Sequence, residues 1–164
     1  MVGLLVLIVG CSSAGTRTSS LVLTIVVVRH AEKGSDDARD PSLSEAGHAR
    51  ARHLAVAMSR TPPDAVYASQ FRRTLQTAQP SALAFGLPVL RYEAQLPAPA
   101  LARQLRGAHA GGVILIVGHS NTVPDIVAAL SGKNVPPMPE EEYGALYRID
   151  IGPGDEVALE RSSF

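Results

Sequence analysis

Ile25-Val26-Val27-Val28-Arg29-His30 and Val113-Ile114-Leu115-Ile116-Val117-Gly118-His119-Ser120 decide the reading of this chain. Each is a run of strand-forming apolar residues that leads into a histidine. Continuous runs of this kind mark parallel strands covered on both faces. Open α/β sheets bind ligands outside the carboxyl ends of their strands. Two imidazoles delivered to that edge, one with Arg29 beside it, predict an anion-handling site. A shorter run, Ala65-Val66-Tyr67-Ala68-Ser69, brings a third strand end to the same picture. After it, Gln70 to Ala78 reads as a helix start carrying Arg72 and Arg73.

Working outward from these runs, strands and helices alternate. A strand is expected at 21–28, followed by a polar loop at 32–41. A helix follows with Ser42 or Ser44 as N-cap, where Ser42 and Glu45 fit a capping box. It should bury Gly47, Ala51, Leu54 and Met58, which recur at helical spacing. Thr61-Pro62-Pro63-Asp64 stops it. A second helix should pack Phe71, Leu75, Ala78, Ala82 and Phe85 and end at Gly86. A short strand is entered through Pro88, and a third helix is expected from about Ala98 to Gly107. Gly111-Gly112 leads into the strand 113–117. A fourth helix, starting near Ser120 or Asn121, tolerates Pro124 in its first turn and should bury Val123, Ile126, Val127 and Leu130. Residues 133–142 form a Pro-rich acidic loop. The runs 145–151 and 157–161 flank Gly152-Pro153-Gly154-Asp155 as a hairpin. This order predicts an α/β fold: a three-layer α/β/α sandwich with a mostly parallel central sheet and a C-terminal hairpin. One domain is expected over 21–164, after an N-terminal segment at 1–20.

Composition narrows the function classes. The 164 residues are 46% hydrophobic, enough for one buried core. Lys+Arg and Asp+Glu are both 15, so the net charge is zero. That gives no support to nucleic acid or an anionic surface as a general partner. Trp is absent and aromatics make up 4%, so no base-stacking platform is present. A zinc pattern needs paired cysteines or a His-x-x-x-His cluster, and the chain has one cysteine, Cys11.

Cys11 ends the apolar run Leu4-Leu5-Val6-Leu7-Ile8-Val9-Gly10, which is too short to span a bilayer as a helix. The run reads as a signal-peptide h-region. Ile8-Val9-Gly10-Cys11 resembles a bacterial lipobox, in which the cysteine is lipidated. The Ser/Gly/Thr stretch after it would be the tether. The expectation is a lipoprotein held at an extracytoplasmic membrane face through Cys11. The alternatives are a cytoplasmic protein and an apolar extension packed as an extra strand or left disordered. Met1-Val2-Gly3 lacks the usual Lys or Arg.

Taken together, the motifs resemble the histidine phosphatase superfamily, the group that includes the cofactor-dependent phosphoglycerate mutases. Arg29-His30-Ala31-Glu32 resembles its Arg-His-x-Glu signature, and Leu43-Ser44-Glu45-Ala46-Gly47 its Leu-(Ser/Thr)-x-x-Gly segment. Ser69, Arg73, Thr77 and Ala78 match its Ser-x-x-x-Arg…Thr-Ala segment, and His119 its second histidine. The resemblance covers about residues 22–150. It implies a phosphatase with no cofactor or metal, acting on a phosphorylated small molecule or a phosphoprotein. It makes His30 the nucleophile that forms a phosphohistidine, Arg29 and Arg73 the clamp on the phosphoryl oxygens, and His119 a donor to the same oxygens. Glu32 is expected to orient the pocket. Glu93, after the third strand, is the candidate general acid.

Small bacterial phosphohistidine phosphatases, which resemble this chain in size, need no strong acid, because a phosphoramidate nitrogen leaves easily. The alternative from another class is a surface protein that binds a phosphorylated ligand without turning it over. A serine-hydrolase reading of Ser120 fails on Gly-x-Ser-x-Gly, since Thr122 stands where the last glycine should be. Arg72 is expected on a solvated helix face, and His48, His53 and His109 at the surface. The oligomeric state is not legible in the sequence.

Overall fold

The computed structural model describes residues 22–164; Cys11 and the rest of the expected leader lie outside them. The elements run β1 (Leu23–Arg29), α1 (Glu45–Met58), β2 (Ala65–Ser69), α2 (Arg72–Ala84) and β3 (Val89–Tyr92). They continue with α3 (Ala98–Ala108), β4 (Gly112–Gly118), α4 (Val123–Ser131), β5 (Ala145–Ile151) and β6 (Val157–Ser163). The sheet order is β3-β2-β4-β1-β5-β6. β3, β2, β4 and β1 pair in parallel. The terminal hairpin adds β5 and β6 antiparallel. This is the expected α/β sandwich. No helix among the described residues is long and apolar enough to cross a membrane.

The period of two in β1 explains the layers, because successive side chains point to opposite faces. Val26 and Val28 join Leu54 and Met58 of α1 and Ala78 and Ala82 of α2 in one buried cluster. Ile25 and Val27 join Leu101 and Leu105 of α3 and Ile126, Val127 and Leu130 of α4 in another. Gly47, Ala51, Leu54 and Met58 are the buried face of α1, as their spacing predicts.

Two local expectations shift. The N-cap of α1 is Ser44, whose side chain accepts from the Gly47 amide, so Ser42 and Glu45 form no capping box. Ser42 is already committed: its carbonyl accepts from Gly34, and Lys33 and Leu43 form an isolated bridge beside it. In α2 the buried stripe is Thr74, Thr77, Ala78, Ser81 and Ala82, more polar than the apolar spacing suggests. The hydroxyls of Thr74 and Thr77 serve the site described next.

Candidate active site

Register places the two histidines side by side. Arg29 pairs with Gly118, so β1 and β4 end level, and the next residue of each is a histidine. The His30 amide donates to Gly118 O at 2.9 Å, and the ring centroids of His30 and His119 are 5.4 Å apart, edge on. β2 ends beside them: Ala68 pairs with Val117, which brings Ser69 to His119. The chain order reverses here, since β4 returns between β2 and β1, and such switch points open a crevice. A cavity of about 340 Å³ lies there, lined among others by His30, Lys33, Arg73, His119, Ser120 and Glu140.

Each imidazole has an assignable tautomer. His30 Nδ1 lies 2.7 Å from Ala31 O, so it carries the proton and Nε2 keeps a free lone pair. His119 Nε2 lies 2.7 Å from Ser69 Oγ, and its Nδ1 lies 3.4 Å from Arg73 Nη2. Guanidinium only donates, so Nδ1 accepts and Nε2–H donates to Ser69. Ser69 Oγ then donates to Thr74 Oγ1 at 2.9 Å, and Thr74 donates to Phe71 O at 2.7 Å. Burial, which disfavours the charged imidazolium, pushes His30 down to about 4. Burial, followed by the Arg73 charge, pushes His119 down to about 3. Both rings are therefore neutral at physiological pH.

Arg73 projects from the first turn of α2 into this cavity. Its guanidinium sits over the Phe71 ring at 4.5 Å, Nη1 reaches Asp40 at 3.5 Å, and its buried Nε has no partner among the described residues. A buried, unpartnered N–H beside two imidazoles is what an incoming oxyanion would satisfy.

Comparison with known proteins follows the same lines. The family model described as histidine phosphatase superfamily (branch 1) matches residues 25–96. Over that stretch the chain is similar to the histidine phosphatase superfamily. Among solved structures, the protein histidine phosphatase SixA complexed with tungstate is 20% identical, with a TM-score of 0.70 over 86% of this chain and 97% of that one. A protein of Agrobacterium tumefaciens described as a SixA phosphohistidine phosphatase is also 20% identical, with a TM-score of 0.69 over 87% and 99%. The mycobacterial glucosyl-3-phosphoglycerate phosphatase is 14% identical, with a TM-score of 0.65 over 87% and 98%. No curated protein sequence matches the chain.

The segments that resemble the superfamily have physical reasons here. The Ala31 amide donates to Thr77 Oγ1 at 3.0 Å, which ties α2 to the residue after His30. A Cβ on Gly47 would stand 2.3 Å from Glu32 O, so α1 packs against the His30 loop through a bare glycine.

Three expected site residues, Glu32, Glu93 and Arg29, do not line the cavity among the described residues. Glu32 accepts from Arg50 Nε and Nη2 at 2.6–3.0 Å and does not line the cavity. These hydrogen bonds hold its carboxyl below the usual range. Glu93 is exposed and off the cavity lining, while its neighbours Ala94 and Gln95 line it. The turn fixes which side chain faces inward: the Ala94 amide donates to Gln70 Oε1 and the Leu96 amide to Glu93 O. Arg29 is buried behind the cavity. Its Nη1 donates to the carbonyls of Pro139, Glu140 and Glu142 at 2.8–3.1 Å, and its Nη2 donates to the Glu140 carboxylate at 3.2 Å.

Glu140 is the carboxylate the sequence reading missed. It is the sole Asp or Glu lining the cavity among the described residues. Its only sequence signal was an acidic residue in the loop after α4. Arg72 engages Asp36, Asp40 and Ser42 rather than the cavity, and His109 bonds Tyr67 Oη at 2.9 Å. Among the described residues, no three His, Cys, Asp or Glu side chains form a metal-ligand group.

Proposed function

We propose that the chain is a phosphatase that passes the phosphoryl group through His30 Nε2, without a metal. The observation that carries this reading is the His30 tautomer. With Nδ1–H committed to Ala31 O at 2.7 Å, a neutral Nε2 lone pair is left as a nucleophile. Nε2 attacks phosphorus, the bond to the leaving group breaks, and its electron pair departs with the leaving group. Arg73 stabilises the equatorial oxygens. His119 Nδ1 picks up a proton when the anion binds and then donates to it. Water attacks the phosphohistidine, the P–N bond breaks, and its pair returns to Nε2.

The substrates that fit best are phosphoramidates such as phosphohistidine, and monoesters of readily departing alcohols. Among the described residues the one carboxyl group lining the cavity is Glu140, which Ser120 and then Arg29 hold below the usual range, so it is not a proton donor at neutral pH. The fold neighbours named as a protein histidine phosphatase and a glucosyl-3-phosphoglycerate phosphatase support a phosphorylated substrate.

A chromogenic aryl phosphate and a phosphohistidine-bearing protein, each assayed in EDTA, test the reading. Turnover that survives EDTA and is lost in His30→Ala supports it; metal-dependent turnover that survives His30→Ala sinks it. Tight vanadate binding with no turnover on either substrate would favour a non-catalytic receptor for phosphorylated ligands. We also propose Cys11 as a lipid anchor that places the domain at an extracytoplasmic membrane face. The support is the lipobox-like Ile8-Val9-Gly10-Cys11. Mass spectrometry of the native membrane fraction should find an acylated Cys11. An intact Met1 with a free Cys11 thiol would refute it.

A further inference from the structure

We infer that Glu140 is the general base that activates water for hydrolysis of the phosphohistidine. The inference rests on the proposed phosphatase reading and adds a residue to it. Arg29 supplies the first argument. It is the largest fully buried side chain, 1% exposed, and it spends three hydrogen bonds on the carbonyls of one loop, at residues 139, 140 and 142. A buried guanidinium that binds three carbonyls fixes that backbone in place. Of the residues from 133 to 142, one side chain lines the cavity, and it is Glu140.

The carboxylate is held from two sides. Oε1 accepts from Ser120 Oγ at 2.6 Å, and Oε2 accepts from Arg29 Nη2 at 3.2 Å. Ser120 directly follows His119, so the carboxylate is anchored to both strand ends of the site. The side chain is nonetheless 66% exposed, open to the water it would use. Each oxygen keeps a further lone pair.

Protonation completes the case. The Ser120 hydrogen bond, then the Arg29 charge, hold the Glu140 carboxyl below the usual range. At neutral pH it is an ionised acceptor, unsuited to protonate a leaving group and suited to take a proton from water. In the step, one water O–H bond breaks and its proton goes to Glu140. The water oxygen bonds to phosphorus, the P–N bond breaks, and its pair returns to His30 Nε2. Orthophosphate leaves, and Glu140 releases its proton to solvent.

Rapid-quench kinetics on the full chain with 4-nitrophenyl phosphate test this. Glu140→Gln should release one equivalent of nitrophenolate per site at a rate within about twofold of wild type. Its steady-state rate should then fall on the order of 100-fold, the usual weight of a general base, with acid-labile phosphate accumulating on the protein. Formate should restore turnover to Glu140→Ala, since it replaces the missing carboxylate. Glu140→Gln keeps an acceptor for Ser120, and formate rescue requires a folded site.

A slowed burst with unchanged breakdown would overturn the inference and assign Glu140 to the leaving group. Unchanged or raised turnover with tighter vanadate binding would overturn it too, making Glu140 only a competitor for the anion seat. His30→Ala separates the two levels. If that variant keeps wild-type turnover, the phosphohistidine reading itself fails. If it is dead while Glu140→Gln is fully active, only the role of Glu140 falls.

Discussion

The Ala31 amide donates to Thr77 Oγ1 at 3.0 Å, and Thr77 Oγ1 donates to Arg73 O at 2.7 Å. One hydroxyl therefore links the backbone after His30 to the turn of α2 that carries Arg73. Thr77→Val keeps the shape and leaves the Ala31 N–H buried without an acceptor. The cost is about 1–3 kcal/mol of stability, or about 2–4 °C of Tm per kcal/mol for a chain of this size. Activity should fall about tenfold, since 1.4 kcal/mol of misplacement at the nucleophile suffices for that. Thermal melts and kcat/KM check both; a neutral Thr77→Val would show that the link is idle.

Gly47→Ala is expected to destabilise the protein, although alanine is the better helix former. The added Cβ would meet Glu32 O at 2.3 Å and Glu32 N at 3.1 Å, all backbone. Overpacking of this kind costs about 1–3 kcal/mol, against a helix-propensity gain of at most about 1 kcal/mol. Because Glu32 is two residues from His30, kcat should drop as well. Denaturant unfolding decides the matter, and a gain in stability would contradict the packing argument.

Arg73→Lys should cost on the order of 10- to 100-fold in kcat/KM. The guanidinium faces Asp40 with Nη1, faces His119 with Nη2, and holds an unpartnered buried Nε. An ammonium is a point charge and cannot make these directions at once, and a charge-assisted hydrogen bond is worth about 1.5–3 kcal/mol. Steady-state kinetics on an aryl phosphate measure the loss, and an active lysine variant would remove Arg73 from the phosphoryl clamp.

Acid should unfold the protein earlier than its carboxylates alone require. Burial holds His30 at about 4 and His119 at about 3, both below the ordinary imidazole value of about 6.5. A depressed histidine means that the unfolded chain binds the proton first. Its contribution is complete above pH 6.5 and is lost as pH falls toward the folded values. The slope is about 1.4 kcal/mol per pH unit for each histidine. His119→Asn should flatten the stability curve between pH 6.5 and 5 by about that slope. Equal slopes in the two proteins would show that His119 is not held neutral.

The sheet and the two histidines were legible because both rest on local pattern. Apolar runs name the buried strands, and a residue that follows a strand must appear at its carboxyl edge. Helix faces such as Gly47-Ala51-Leu54-Met58 followed from period alone. Side-chain direction in loops did not. Glu93 was placed by its position after β3, and the hydrogen bonds of Gln70 to Ala94 turn that loop so that Glu93 faces away. The family resemblance makes Arg29 a clamp; its carbonyl partners lie 110–113 residues away, beyond any local signal. The same distance hid Glu140, which becomes a cavity residue only when α4 and its loop fold back over β1.

The central claim is that His30 Nε2 carries the phosphoryl group. Its most direct test is to quench the wild-type protein and Glu140→Gln within milliseconds of mixing with a ³²P-labelled aryl phosphate, and to map the label. Acid-labile, base-stable phosphate is expected on His30 alone, absent from His30→Ala. Label on any other residue, or full turnover by His30→Ala, would contradict it.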